Sequence, residues 1–260
     1  MLNLDSSDLI LDPFPHIIKK GIFEDALARE LNATFPEDSF YDEGSVRRQG
    51  RRNTLTIRDP NFKAFVDGNA TWKAVAQYIN SDAFVAKLVA IFSDHIAEQN
   101  GWFDPAKCYF SPNRWSEAGR TYQRILSRLN RALKLKDEIH LELAINRSRV
   151  GYTVPPHTDG RYKLAIFTIY LNDLDEGERE GGELVLYRHR NRKAPADYER
   201  YPALDQVEPI AEVPPVMNTA YFGLNCNNSY HGVKALNLSR GERRFIYGSL
   251  NVRNTKDAWH

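Results

Sequence analysis

His157 and Asp159 stand two residues apart in the stretch Gly151-Tyr-Thr-Val-Pro-Pro-His157-Thr158-Asp159-Gly160. In an extended segment, residues i and i+2 point to the same side, so an imidazole and a carboxylate in this register can grip one ion together. A second histidine, His231, follows in Asn228-Ser-Tyr-His231-Gly-Val, a polar turn that enters another strand-like run. Two imidazoles and one carboxylate form the facial set that holds a non-haem Fe(II) and leaves its other positions open. An isolated His-x-Asp is more often a surface or hydrogen-bonded pair than a metal site. The weight therefore falls on what flanks it.

After the pair comes Arg161-Tyr-Lys-Leu-Ala-Ile-Phe-Thr-Ile-Tyr170-Leu-Asn172, then Gly181-Gly182-Glu-Leu-Val-Leu-Tyr187, and after His231 comes Gly241-Glu-Arg243-Arg244-Phe-Ile-Tyr-Gly248. The ordered series His-x-Asp, Tyr-Leu-Asn, Gly-Gly-x-Leu, His-Gly-Val and Gly-x-Arg resembles the iron- and 2-oxoglutarate-dependent oxygenases of the prolyl-hydroxylase-like group. The resemblance spans roughly residues 140 to 252.

The resemblance implies that His157, Asp159 and His231 are the catalytic metal ligands and that 2-oxoglutarate chelates the iron through its keto-acid end. It further implies O2 as co-substrate, ascorbate as a stimulating reductant, and release of succinate and CO2. The expected reaction is hydroxylation of an unactivated C–H in an amino acid, a peptide side chain or a small metabolite. Related halogenases carry a small residue where Asp159 stands, so its carboxylate favours hydroxylation. The far carboxylate of 2-oxoglutarate needs a cation, and an arginine fork suits it. The Gly-x-Arg match selects Arg243, with Tyr170 donating a hydrogen bond to the same carboxylate. Arg244 stays a candidate, because adjacent strand residues face opposite sides and the small Gly248 lies on the Arg244 face. One departure is Asn146 and Arg147 on the preceding strand, where a tyrosine is common in the group. A different class is a cupin-type jelly-roll module that binds metal or sugar without oxygenase activity. It would not need a buried clamp for a dicarboxylate.

Composition bounds the rest. Lys plus Arg exceed Asp plus Glu by only 35 − 34 = 1, which gives no general attraction to nucleic acid or to an anionic membrane. The partner is expected to be a small-molecule or peptide substrate, and the oligomeric state is left open. Cys108 and Cys226 lie far apart without Cys-x-x-Cys spacing, so neither a disulfide framework nor a structural zinc site is signalled. With an acidic start and no membrane-length apolar run, the chain reads as soluble and cytoplasmic.

The expected fold is mainly β with an α-helical N-terminal layer (α+β), around a double-stranded β-helix core of jelly-roll, cupin-like type. Residues 1–137 are expected to form a mainly helical region packing on the core, and 138–260 the catalytic core with a charged, Pro-containing insertion at 188–215 over the barrel mouth. Phe23, Leu27, Leu31 and Phe35 at four-residue spacing predict a helix ended by Pro36. Residues 61–100 predict two helical pieces with apolar stripes at Trp72, Val75, Ala76 and Ile79 and at Phe84, Leu88, Ile91 and Phe92, and 119–136 predicts another helix. The Arg-rich stretch 41–58 reads as a solvated loop, or as a lid or docking patch. His16 reads as a surface or capping residue and His95 as a helix-surface or core residue. From Glu138 the period changes to two, and strands follow at 164–171, 183–187, 220–224 and 245–250. Many short strands without intervening helices argue for the jelly roll.

Overall fold

The computed structural model describes residues 1–41, 46–47, 51–99, 104, 108–111, 125, 128–130, 132–133, 137–173, 179–191, 198–238 and 241–253. The helices are α1 (Asp25–Ala33), α2 (Pro60–Gly68), α3 (Ala70–Ile79) and α4 (Asp82–Gln99). The strands are β1 (His16–Lys20), β2 (Val46–Arg47), β3 (Arg52–Thr56), β4 (Tyr109–Phe110), β5 (Glu138–Ser148), β6 (Val154–His157) and β7 (Lys163–Tyr170). They continue with β8 (Arg179–Glu180), β9 (Leu184–His189), β10 (Val207–Val213), β11 (Thr219–Leu224), β12 (His231–Val233), β13 (Asn237–Leu238) and β14 (Arg243–Arg253).

The large sheet runs β1-β11-β7-β14-β5-β3-β2, with β4 beside β5, and the small sheet runs β10-β9-β12-β6. Along the chain β5, β7, β11 and β14 fall in the large sheet, and β6, β9, β10 and β12 in the small one. This exchange between two antiparallel sheets is a jelly roll, the double-stranded β-helix expected above. Two strands that precede residue 138, β1 and β3, extend the large sheet by pairing with β11 and β5.

Alternation on the large sheet separates two cores. Phe167, Ile169, Phe222, Ile246 and Leu250 point outward and join Trp72, Phe84, Leu88 and Phe92 of the helices. Ile166, Tyr170, Tyr221 and Phe245 point inward toward Val154, Leu184, Leu186 and Val233 of the small sheet. The helical layer thus buries the outer face, and the inner face lines the barrel. The Phe84 and Phe167 rings meet edge-on at 5.6 Å, and Phe167 stacks on Phe222 at 5.5 Å.

Several expectations need correction. The helical region 61–100 breaks into three pieces, because Asn69 stops α2 and its side chain caps α3 by accepting from the Trp72 N–H at 3.0 Å. Part of the Arg-rich stretch is the strand β3, in register with β5, where Leu55 is buried. Its arginine content hides the alternation. Within 188–215, β10 is an edge strand of the small sheet, and Pro209 sits at its register shift, a position an edge strand tolerates. His16 is buried at 1% exposure, with Nδ1 2.7 Å from the Phe14 carbonyl. His95, by contrast, lies on α4 as expected, partly buried and within 3.1 Å of Glu98. The helix expected at 119–136 and the loop at 101–118 lie largely outside the described residues, although 125, 128–130 and 132–133 are helical. Among the described residues no single helix is long and apolar enough to cross a membrane.

Gly248 lies opposite Phe167 in the β14–β7 register, and a Cβ there would stand 2.1 Å from the Phe167 ring. The glycine therefore gives the ring its place between sheet and helices. Gly248→Ala is expected to cost about 1–3 kcal/mol through overpacking, read as a lower denaturant midpoint. An unchanged midpoint would mean that Phe167 moves aside freely.

Candidate metal centre

Strand pairing does the first step of assembly. β12 runs antiparallel to β6 with His231 directly opposite His157, and their ring centroids lie 4.5 Å apart. Asp159 follows β6 by two residues, and one ligand atom from each of the three lies within 4.8 Å of the others. All three side chains are buried. The structure therefore brings together the three residues that the sequence separates.

The loop carrying Asp159 is fastened on two sides. Asn225 Nδ2 donates to the Gly160 and Lys163 carbonyls at 3.1 and 3.0 Å, and the Asn225 N–H donates to Leu164 O. Asn225 Oδ1 also accepts from Ser229 Oγ, so the turn leading into His231 is tied to the turn leaving Asp159. From the insertion, the Thr158 N–H donates to Arg200 O and the Tyr198 hydroxyl donates to Asp159 O. Tyr201 stacks on His157 at 6.0 Å. The described part of the insertion thus lies at the rim of the site.

Protonation follows from the hydrogen bonds. His157 Nδ1 lies 3.0 Å from Pro155 O, and His231 Nδ1 lies 2.9 Å from Ser229 O. A carbonyl only accepts, so each Nδ1 carries the proton and each Nε2 keeps its lone pair. His231 Nε2 faces Asp159 Oδ2 at 3.7 Å. Burial lowers the His231 pKa and keeps its ring neutral. Three lone-pair donors thus converge in a buried site with no proton to share, a donor set that fits a divalent cation. Asp159 Oδ1 accepts from Lys163 Nζ at 2.6 Å, which leaves Oδ2 turned to the imidazoles.

Lys163 was not legible in the sequence. On a regular strand it would share the outward face of Phe167 and Ile169, but the β14 register skips from Ala165 to Lys163, and this bulge turns the ammonium inward. Lys163 Nζ also donates to Tyr247 Oη at 2.7 Å. Burial alone would raise the Asp159 pKa; the Lys163 ammonium, followed by the two imidazoles, outweighs it and holds the carboxyl at about 2. Burial likewise works against the Lys163 charge, and Tyr247 and Asp159 together raise its pKa above the ordinary lysine value. Burial and the Asp159 charge push Tyr247 up to about 12.

A cavity of about 230 Å³ opens on the three side chains. Arg243, 2% exposed, reaches it from the first residue of β14 and donates from Nη1 to Gly182 O at 2.6 Å. Gly181 and Gly182 both have positive φ, and a Cβ on Gly181 would stand 1.9 Å from Ala235 O. The Gly-Gly turn therefore brings a carbonyl against the guanidinium. Tyr170 lies beside it, with the Arg243 guanidinium 5.1 Å from its ring. Arg244 faces the helices, bonded to Glu242 and Asn32 and lying over the Phe35 ring. Gly248, on the Arg244 face, makes room for Phe167. Asn146 faces inward opposite Phe245 but does not reach this cavity, and Arg147 faces outward in ion pairs with Asp38 and Glu242.

No family model matches the chain, and no curated protein matches it. Among solved structures it is similar to a prolyl-4-hydroxylase from Pseudomonas putida, at 15% identity and TM-score 0.44, over 92% of this chain and 93% of that one. It is also similar to an oxidoreductase of the 2OG-Fe(II) oxygenase family from Burkholderia pseudomallei, at 12% identity and TM-score 0.48, over 94% and 87%. A third is HygX from Streptomyces hygroscopicus with nickel and 2-oxoglutarate bound, at 11% identity and TM-score 0.45, over 96% and 87%.

His157→Ala, Asp159→Ala and His231→Ala are each expected to weaken divalent-metal binding by more than the ~10–100-fold typical of losing an outer-shell partner, with the fold retained by circular dichroism. Wild-type metal affinity in any of them removes that residue from the ligand set. Metal must compete with protons at His231, whose pKa burial lowers, so binding should hold at neutral pH and fall only on acidification. In Lys163→Met the Asp159 pKa rises, because burial is no longer opposed by the ammonium, and protons begin to compete for this ligand too. The acid limb of metal binding should therefore move to higher pH; a coincident limb would show that Lys163 does not keep Asp159 ionised.

Proposed function

We propose that this protein is a non-haem Fe(II)- and 2-oxoglutarate-dependent dioxygenase that hydroxylates an unactivated C–H of an amino acid, a peptide side chain or a small metabolite. The observation that carries the reading is one cavity holding both a buried two-histidine, one-carboxylate face and the buried cation of Arg243. Arg243 has no carboxylate at ion-pair distance among the described residues, and its Nε is buried without a hydrogen-bond partner. A buried guanidinium in that state calls for an anion. Lys163 and Arg200 line the same cavity as Arg243, so its charge is positive apart from Asp159 and suits a dianionic co-substrate.

His157, Asp159 and His231 would hold Fe(II) on one face and leave the opposite positions open. When bound, iron with 2-oxoglutarate and O2 supplies the oxidising chemistry: one oxygen atom enters the substrate C–H and the other enters succinate, as CO2 is released. Arg243 receives the far carboxylate of 2-oxoglutarate, with Tyr170 beside it. Lys163 keeps Asp159 ionised and occupies one of its two oxygens, which restricts the carboxylate to a single ligand atom. Ile166, Leu184, Val233 and Phe245 line the cavity and limit water around the reacting groups. A cupin-type binding module has no use for a buried cation placed this way.

Anaerobic addition of Fe(II) and then 2-oxoglutarate should give the weak visible charge-transfer band of the chelate, and substrate screening by succinate release should find a product heavier by one oxygen atom. Absence of both sinks the reading. Arg243→Ala should raise the KM for 2-oxoglutarate by at least about a hundredfold, since a buried carboxylate loses its charged partner. Arg244→Ala should leave that KM within about threefold, a change of under one kcal/mol. A large rise in Arg244→Ala alone would exchange the two assignments.

A further inference from the structure

A second cavity, of about 320 Å³, lies beside the metal cavity, and Arg52 and Tyr247 line both. Its other walls include Thr54, Arg58, Glu142 and Asn146. None of the metal ligands lines it, nor does Arg243 or Tyr170. We infer that this second cavity seats the primary substrate and that Arg52 binds an anionic group on it, a carboxylate or a phosphate. The inference deepens the dioxygenase reading and rests on it for the word substrate.

Arg52 owes its place to the sheet. It pairs with Ser148 of β5, and Ser148 pairs with Arg243 of β14, so the three form one lateral row on the inner face. Two strand spacings separate the arginines, roughly 10 Å between backbones. Two cations so placed serve two anions, and Arg243 stands on the side of Tyr170 and the Gly-Gly turn. The Arg52 side is the one that opens into the second cavity.

The donors there are largely unspent. Arg52 Nη1 makes a long bond of 3.4 Å to the Tyr152 hydroxyl, and Arg52 Nε is buried without an acceptor. No carboxylate lies at ion-pair distance from Arg52 among the described residues. Thr54 Oγ1, one pleat along the same face, is likewise buried without a partner. By contrast Arg58 is committed to Glu142, which neutralises the one carboxylate among the described lining residues. Buried donors left this way are rare in folded proteins and costly unless a ligand satisfies them. A guanidinium fork next to a hydroxyl matches the geometry of a carboxylate or phosphate group. The volume lies at the small end of ligand pockets and suits a metabolite or a single residue.

The test is direct binding by ligand-observed NMR on the full chain, metal-free, with N-acetylglycine, its neutral amide N-acetylglycinamide, inorganic phosphate and 2-oxoglutarate as probes. N-acetylglycine, phosphate or both should bind, with the amide at least about tenfold weaker. Binding by N-acetylglycine alone assigns a carboxylate, and by phosphate alone a phosphate; both outcomes support the subsite. Arg52→Gln should weaken the anionic probe at least about tenfold, Arg52→Lys should recover part of the loss, and Arg243→Gln should leave it within about twofold. 2-Oxoglutarate should show the opposite dependence on the two arginines. The proposal is overturned if neither anion binds, if the amide binds equally, if folded Arg52→Gln matches wild type, or if Arg52→Gln weakens 2-oxoglutarate instead. Anion binding through Arg52, with neither the charge-transfer band of the Fe(II)–2-oxoglutarate chelate nor succinate release, would sink the dioxygenase reading and leave the anion site standing.

Discussion

The antiparallel pairing of β6 with β12 sets His157 opposite His231, and the rest of the site is arranged around that opposition. Directly opposed residues on adjacent strands hold their Cβ atoms about 5 Å apart, so two imidazoles converge without help from a flexible loop. Backbone carbonyls two residues upstream accept a hydrogen bond from the Nδ1–H of each ring, which leaves both Nε2 lone pairs free. Asp159 comes from a turn, and it needs the fastening that strands give the histidines for nothing. Asn225 and Ser229 provide it by tying the two turns together.

The large sheet divides stability from chemistry by face. Its outer side is apolar and packs on the helices, with Phe167 at the junction of Phe84 and Phe222. Its inner side carries Arg52, Arg243, Lys163, Tyr170 and Tyr247 into the barrel. Such a row of buried polar groups is costly alone, and the apolar face behind it can sustain that cost. The same alternation separates neighbouring arginines: Arg243 goes to the cavity and Arg244 to Asn32, Glu242 and the Phe35 ring.

Electrostatics inside the barrel rest on one irregularity. The bulge at the start of β7 turns Lys163 inward, where its ammonium bridges Asp159 and Tyr247. The carboxylate stays ionised despite burial, and the phenol stays protonated. Bulges beside functional sites re-aim a side chain in this way at the expense of one ladder position.

The sequence by itself determined the elements whose signal is local. A period-two run gave β5, and short apolar runs bounded by Gly, Pro, Asn and Asp clusters gave β7, β11 and β14; apolar stripes marked the helical layer; and the i, i+2 spacing of His157 and Asp159 aimed both at one side. Those patterns are written in neighbouring residues, so no tertiary information is needed to read them. The paired strand β3 was masked by its arginines and β10 by Pro209, because each is recognised through a partner strand rather than through its own composition. Tertiary structure alone decided three further matters. Pairing set His231 against His157, since nothing local ties residues so far apart. Sheet packing chose which of Arg243 and Arg244 faces the cavity, because their strand neighbours are apolar on both sides and only the helices covering one face distinguish them. A single-residue bulge reversed the facing of Lys163, since strand parity is a count along the chain and a shift in pairing with β14 changes the count without leaving a mark in the residues themselves.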